Sequence, residues 1–295
     1  MSGMRVLDVD ERGRLLKAVT DGGTTTLVEV DAKGTRERAA VGALATARYL
    51  PGERTAVVQH GSPAQLSLLH PNGKMAPLLG SPTHDTELVG VLPGRVVYRA
   101  NRRHRLLYTL VIRNVLVGEE QAVYDRGGSV EEAAVSANSR HIAIRLPRKL
   151  LLVDTMPVTE DDHVRLITPE PPGAGHRDIQ WLPDSQRLLS LVQDGGTTSV
   201  TRWDVATQEW DVLVTGLAPQ ARLHLAPDGR RFAVGSDSGL ALYEAGAGRY
   251  LRDGDVGGGV DSALWTPDSR RLVVERDGEA LWVEAESGAV SAVAG

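Results

Sequence analysis

A turn that keeps returning is what most narrows the folds open to this chain. WLPDSQRLLS at 181–190, LAPDGRRFAV at 225–234 and WTPDSRRLVV at 265–274 each set an apolar strand, a Pro-Asp turn and a second strand in the same order. Elsewhere VTDGGTTTLVEVD at 19–31 echoes VQDGGTTSVTRWD at 192–204, the next hairpin of such a unit. The residue closing the first turn of each unit falls at Gly13, Gly52, Gly94, Ser139, Ser185, Gly229 and Ser269, at spacings of 39, 42, 45, 46, 44 and 40 residues. A four-stranded module repeating every ~40–45 residues cannot hide both its apolar faces alone and must be covered by its neighbours, as the blades of a β-propeller are. The chain therefore reads as all-β: one seven-bladed propeller domain of four-stranded antiparallel blades, at about 3–43, 44–85, 86–129, 130–175, 176–217, 218–258 and 259–295.

The turn chemistry supports that reading. Pro227 and Pro267 fix φ where a tight turn needs it, the Asp that follows can accept from nearby backbone N–H groups, and Gly229 tolerates positive φ. Ser139, Ser185 and Ser269 stand where glycine is easier, so a left-handed backbone is less expected there. RLLSLV, RFAVGS and RLVVER are short, partly alternating strands, and no window of 11 or more residues carries a helical period. Four strands fit the last unit near 260–266, 271–276, 280–285 and 289–294, and the first unit is complete from Met4. No N-terminal strand is left to finish the last sheet, so blades 1 and 7 are expected to meet by packing.

The WxPDSxRL and LAPDGRRFAV elements resemble the WD40-like repeats of the TolB type, which also occur in the propeller domains of prolyl oligopeptidase relatives. The likeness runs through most of the chain and is clearest in units 5 to 7. It differs from eukaryotic WD40 repeats, in which Trp-Asp closes the blades, because Trp-Asp occurs here only in the fifth unit, at 203–204 and 210–211. The resemblance implies a propeller and leaves the ligand open, since this fold carries scaffolds, hydrolase lids, lyases and lactonases.

Composition removes several classes. With 41% hydrophobic residues and a formal net charge of -5, the chain lacks the basic excess of a general nucleic-acid binder. Having no Cys, it has no disulfide, thiolate metal site or Cys nucleophile. No 18-residue apolar run is present, so no membrane span is expected, and MSGMRVLDVDERG lacks the apolar core of a secretory leader. The expectation is a cytoplasmic protein of bacterial composition, periplasmic if a leader has been removed. G-x-S-x-G, H-E-x-x-H and the phosphate loop G-x-x-x-x-G-K-[ST] are all missing, which argues against a self-contained serine hydrolase, zinc peptidase or NTPase.

Two acidic stretches imitate calcium loops. DVDERG at 8–13 puts Arg12 on a ligand position, and RDGDVGGGVD at 252–261 spaces Asp253, Asp255 and Asp261 unlike any recognised set. Neither suggests a metal, and no cofactor is expected. More distinctive is YRANRRHRLLYTLVIRN at 98–114, where Arg99, Arg102, Arg103, Arg105 and Arg113, with His104, form a basic hairpin beside Tyr98 and Tyr108 that can grip phosphate or an acidic protein surface. Glu119, Glu120, Asp125, Glu131 and Glu132 follow and can neutralise it. His60, His84, Arg102, Arg103, His104, His176, Arg177 and Asp178 are expected on one face, His176 hydrogen-bonding from blade to blade as the His of WD40 repeats does. Aligning the first strands places Asp8, Thr46, Arg48, Glu132, Asp178, Gln180, Arg222, His224 and Ser262 near the axis, where charges must pair or touch water. The longest loop is ITPEPPGAGH at 167–176.

The leading functional reading is a non-catalytic interaction or scaffold module. It binds a protein partner through one ring face using Arg99, Arg102, Arg103, His104, Arg105, His176, Arg177 and Asp178, with room for a small polar ligand at the channel mouth. The competing reading is a propeller lyase or lactonase with a metal-assisted site at that mouth, built from His60, His84, His176, Asp178 and Asp261.

Overall fold

A computed structural model describes residues 3–125, 129–147, 149–155, 163–167 and 175–293. They form seven sheets, each of four antiparallel strands in chain order: an all-β, seven-bladed propeller. The blades span 3–41, 44–79, 86–124, 132–166, 175–217, 222–254 and 262–292. The first and last sheets each use four consecutive strands of their own, with no exchanged strand. Two compact units divide the chain, one with blades 1–3 and the other with blades 4–6 and most of blade 7. Among the described residues no helix is long and apolar enough to cross a membrane.

The hydrophobic core is split into layers between blades. Ala56, Val57 and Val58, all in one strand and all fully buried, show how. Side chains alternate along a strand, so Ala56 and Val58 pack with Leu16, Leu27 and Ala47 of the blade 1–2 layer, while Val57 joins Tyr98 and Val96 in the blade 2–3 layer. Phe232 and Val234 likewise face blade 5 and Ala233 faces blade 7. A middle strand covered on both faces reads as an unbroken apolar run, which is why RFAV and RLVV do not alternate cleanly.

All seven turn-closing residues are left-handed, with φ between 58° and 76°. Two of the serines hold that conformation together with bonds glycine could not make. Ser185 Oγ accepts the Asn138 N–H at 3.1 Å, and Ser269 Oγ accepts the Asp228 N–H at 2.9 Å, each bond joining one blade's turn to the preceding blade's. At Gly229 the reverse holds: a Cβ there would lie 2.5 Å from Pro183 Cδ of blade 5, so the position admits only glycine. The turn aspartates behave as their spacing predicts, with Asp184, Asp228 and Asp268 accepting from the N–H two residues on at 2.9–3.0 Å.

The polar pattern on the first strands has a structural origin. A first strand pairs on one side only, and its free N–H groups need acceptors. Side chains of the preceding blade supply them. Asp8 accepts the Tyr49 N–H (2.7 Å), Gln59 the Leu88 N–H (2.9 Å), Glu132 those of Asp178 and Ile179 (3.1 and 2.8 Å), Asp178 that of Leu223 (3.0 Å), and Gln180 that of Leu225 (2.8 Å). A bulge at 177–180 turns Asp178, at φ 50°, toward blade 6.

Candidate functional site

Blade 3 carries a hairpin that outruns its sheet. The second strand, Arg95–His104, loses its pairing with the first after Ala100, opposite Thr86, and continues against the third strand, Leu107–Asn114, alone. Buried Asn101 secures the departure point. Its side chain accepts the Asp85 N–H at 2.7 Å and donates to the Arg105 carbonyl at 3.1 Å, while its own N–H reaches the Asp85 carbonyl. Asp85 also accepts the Ala64 N–H at 2.8 Å, tying in the blade 2 hairpin that carries His60. Beyond Asn101 six consecutive residues, Arg102 to Leu107, are exposed.

The arginines of this hairpin fall into two groups. Arg99 is held by Glu87 through Nε at 2.9 Å, with its guanidinium 4.8 Å from the Tyr108 ring centre and the Tyr108 hydroxyl donating to the same Glu87 at 2.7 Å. Arg102 donates to the Tyr98 hydroxyl at 2.7 Å and shares Glu120 with Arg113. Burial alone would raise the Glu120 carboxyl, but the bonds from Arg102, Tyr98 and Arg113 outweigh it and hold its pKa below the ordinary value. At the tip the balance changes. The Arg103 side chain is 75% exposed and meets only exposed Asp125 at 3.5 Å, and Arg105 has no acidic partner among the described residues. His104 Nδ1 accepts the Leu106 N–H, and Leu106 and Leu107 are 62% and 43% exposed. The tip thus combines unneutralised guanidinium with bare apolar surface.

In the second unit, His176, Arg177 and Asp178 act inside the propeller. Arg177 donates to the carbonyls of Ala221 and Pro219, and Asp178 accepts from Arg222 Nε at 2.9 Å as well as from the Leu223 N–H. Both fasten blade 5 to blade 6. His176 is buried, and its bonds correct the blade-to-blade expectation: Nδ1 lies 3.1 Å from Ser190 Oγ, which lies 3.0 Å from Thr201 Oγ1, all within blade 5. The Trp210 ring packs on it at 5.1 Å. Burial, with the charge of Arg145, lowers its pKa to about 4.

The residues suspected of metal-assisted chemistry have other employment. His60 Nε2 bonds Ser67 at 2.8 Å, half-buried His84 touches Thr83, and Asp261 accepts the Asp277 N–H at 3.1 Å. Asp8 pairs with Arg48 and Asp10 with Arg14. No group of three His, Asp or Glu side chains among the described residues is arranged to hold a metal ion. Sequence reasoning overlooked Asp85 and Asn101, which fix the hairpin. The visible signal was a pair of short polar residues, Asp85 just before the first strand of blade 3 and Asn101 within the second, each able to satisfy backbone groups where a sheet ends.

With this geometry in view, solved structures of low sequence identity, a TolB among them, share the β-propeller fold. An oligogalacturonate lyase in complex with manganese matches with a TM-score of 0.75 at 13% identity, covering 92% of this chain and 86% of that one. TolB from Acinetobacter baumannii matches at 0.53 and 15% identity, covering 83% and 68%. A prolyl endopeptidase matches at 0.73 and 12% identity, and there the chain spans 49% of the other's length. No family model and no curated protein matches the sequence.

Proposed function

We propose that this propeller is a non-catalytic interaction module that grips an acidic, partly apolar surface of a protein partner with the tip of the blade 3 hairpin. The observation supporting it is the run Arg102–Leu107, fully exposed yet anchored by Asn101 and Asp85. Ordering that is already present in the free protein does not have to be supplied on binding, so an anchored tip keeps more of its contact energy than a loose one. Arg103 and Arg105 supply the charge, and Leu106 and Leu107 the area for desolvation. Arg99 and Arg102, already neutralised, position the hairpin.

The test is affinity capture with the wild type, with Arg103→Glu/Arg105→Glu, and with Arg249→Glu as a charge control on blade 6, where Arg249 is exposed beside Glu244. A protein retained by the wild type and the control but lost from the double variant supports the reading. Equal retention by all three refutes it.

A further inference from the structure

Strand register allows blades 5 and 6 to be overlaid residue by residue. Arg187 pairs with Asp204 and Arg231 with Glu244, so Ser190 and Thr201 of blade 5 correspond to Val234 and Ala241 of blade 6, and Trp203 to Tyr243. Arg177 and Arg222 occupy matching positions opposite Leu191 and Gly235, which makes Ala221 the counterpart of His176. The buried His-Ser-Thr-Trp set of blade 5 is therefore Ala-Val-Ala-Tyr in blade 6. In blade 7 the counterpart of Ala241 is Leu281, four carbons of side chain against one.

A cavity borders these positions. Ala221, Val234, Ala241 and Tyr243 line a partly open space of about 780 Å³ between blades 5 and 6, bordered also by residues 216–218 and 254–258. That volume lies within the ~300–1,000 Å³ of small-molecule sites. The charged residues of its lining are Asp253 and Asp255, both exposed, joined by the hydroxyls of Ser236 and Ser238. The nearby cations are engaged elsewhere. Arg276 donates to the Val256 carbonyl and faces Asp277 at 3.6 Å, and Arg252 runs along Gly288 of blade 7. Tyr243 meets Tyr250 edge to face at 5.8 Å, and both phenols feel the Asp253 carboxylate. An aromatic wall beside two carboxylates that have no cationic partner among the described residues favours positive charge spread over a plane.

We infer that this cavity is a binding site for a flat organic cation, a guanidinium, amidinium or imidazolium head that enters where the His176 ring sits in blade 5. The apolar floor of Val234 and Ala241 receives the body of the head, Tyr243 lies against it, and Asp253 and Asp255 take its N–H groups. The head can belong to a free metabolite or to an arginine of a protein, and the two sources present the same chemistry.

Isothermal titration with benzamidine, with a capped Gly-Arg-Gly tripeptide, and with benzyl alcohol as the neutral control tests this. One of the two cations is expected to bind saturably and benzyl alcohol not to, the tighter cation identifying the source. Asp253→Asn/Asp255→Asn, confined to exposed carboxylates, should weaken the binding by about tenfold or more. Ala241→Leu, copying blade 7, should abolish it while leaving the unfolding midpoint unchanged or raised. Absence of saturable binding by either cation, equal binding of benzyl alcohol, or undiminished binding by both variants overturns the assignment.

Discussion

Acid should loosen the second unit through two imidazoles that fold in the neutral form. Burial lowers the pKa of both His176 and His224 to about 4, with the charge of Arg145 adding to the effect at His176. Nε2 of each is buried without a partner among the described residues, so neither ring has an acceptor waiting for a second proton. An unfolded histidine titrates near 6.5. As pH falls below that value the unfolded chain takes up protons that the folded chain refuses, and stability present at neutral pH is lost between about 6.5 and 4. Each histidine then costs about 1.4 kcal/mol at pH 5.5 and about 2.6 kcal/mol at pH 4.5, or about 5 kcal/mol for the pair at the lower pH. The five tryptophans, at 181, 203, 210, 265 and 282, all lie in this unit, so their fluorescence reports its unfolding.

Urea unfolding of the wild type and of His176→Gln/His224→Gln, followed by tryptophan emission from pH 7.5 to 4.5, isolates the effect. Gln keeps a neutral hydrogen-bonding group in place and has no proton to gain. Carboxylates titrate in both proteins and cancel in the difference, including Glu132, raised by burial, and Asp184, held low by the Gln186 N–H and Arg187 despite burial. The variant is expected to be less stable at pH 7.5 but to lose about 3 kcal/mol less than the wild type by pH 5.5 and about 5 kcal/mol less by pH 4.5. Parallel pH profiles would show that these rings are not held neutral by the fold.

Other perturbations have equally definite outcomes. Gly229→Ala forces a Cβ against Pro183 and should cost about 2 kcal/mol or more, seen as a lower urea midpoint by tryptophan emission. Ser185→Ala and Ser269→Ala should each cost about 1 kcal/mol through the bond lost to the preceding blade's turn, and should be additive because the sites are in different interfaces. In the first unit Glu29 takes Arg38 and Arg54, each at 2.5 Å, together with the Tyr49 hydroxyl at 3.1 Å. Arg38→Met leaves Glu29 to Arg54 and the Tyr49 hydroxyl, removes one buried charge-assisted bond and should cost about 1.5–3 kcal/mol, read as faster amide exchange across blades 1 and 2.

The architecture was legible in the sequence because each hairpin turn needs a residue that can stand at positive φ, and such residues punctuate the chain at blade intervals. Ser185 and Ser269 show where that logic stopped short. Judged on local strain alone they are poor choices, and only the neighbouring turn, some 40 residues away in sequence, explains the hydroxyl. The site was legible in part. The basic hairpin stood out by composition, but composition does not say which arginines are spent. Glu87 and Glu120 reach Arg99 and Arg102 across 12 and 18 residues, pairings set by sheet register. Arg177 and Asp178 look, in sequence, like a charged loop available to a partner. They turn out to satisfy blade 6 because a bulge, which leaves no mark in the residue order, rotates them sideways.

One physical requirement runs beneath these cases. Blades 1, 2, 4 and 5 each cap the free first-strand edge of the blade that follows, and any side chain that accepts a hydrogen bond at the right height will serve. Asp8, Gln59, Glu132, Asp178 and Gln180 all do so, from different strands and with different charges. The function selects an acceptor and not a residue type, so the blades can diverge while the ring fold persists. Where one contact is surrendered altogether, as at Ala221 in the place of His176, the position borders a cavity while the layer between blades 5 and 6 still packs on Phe232, Leu223 and Leu189. A small-residue substitution in a repeat of this kind therefore opens a site without disturbing the fold, and strand register shows which of the otherwise similar blades has done so.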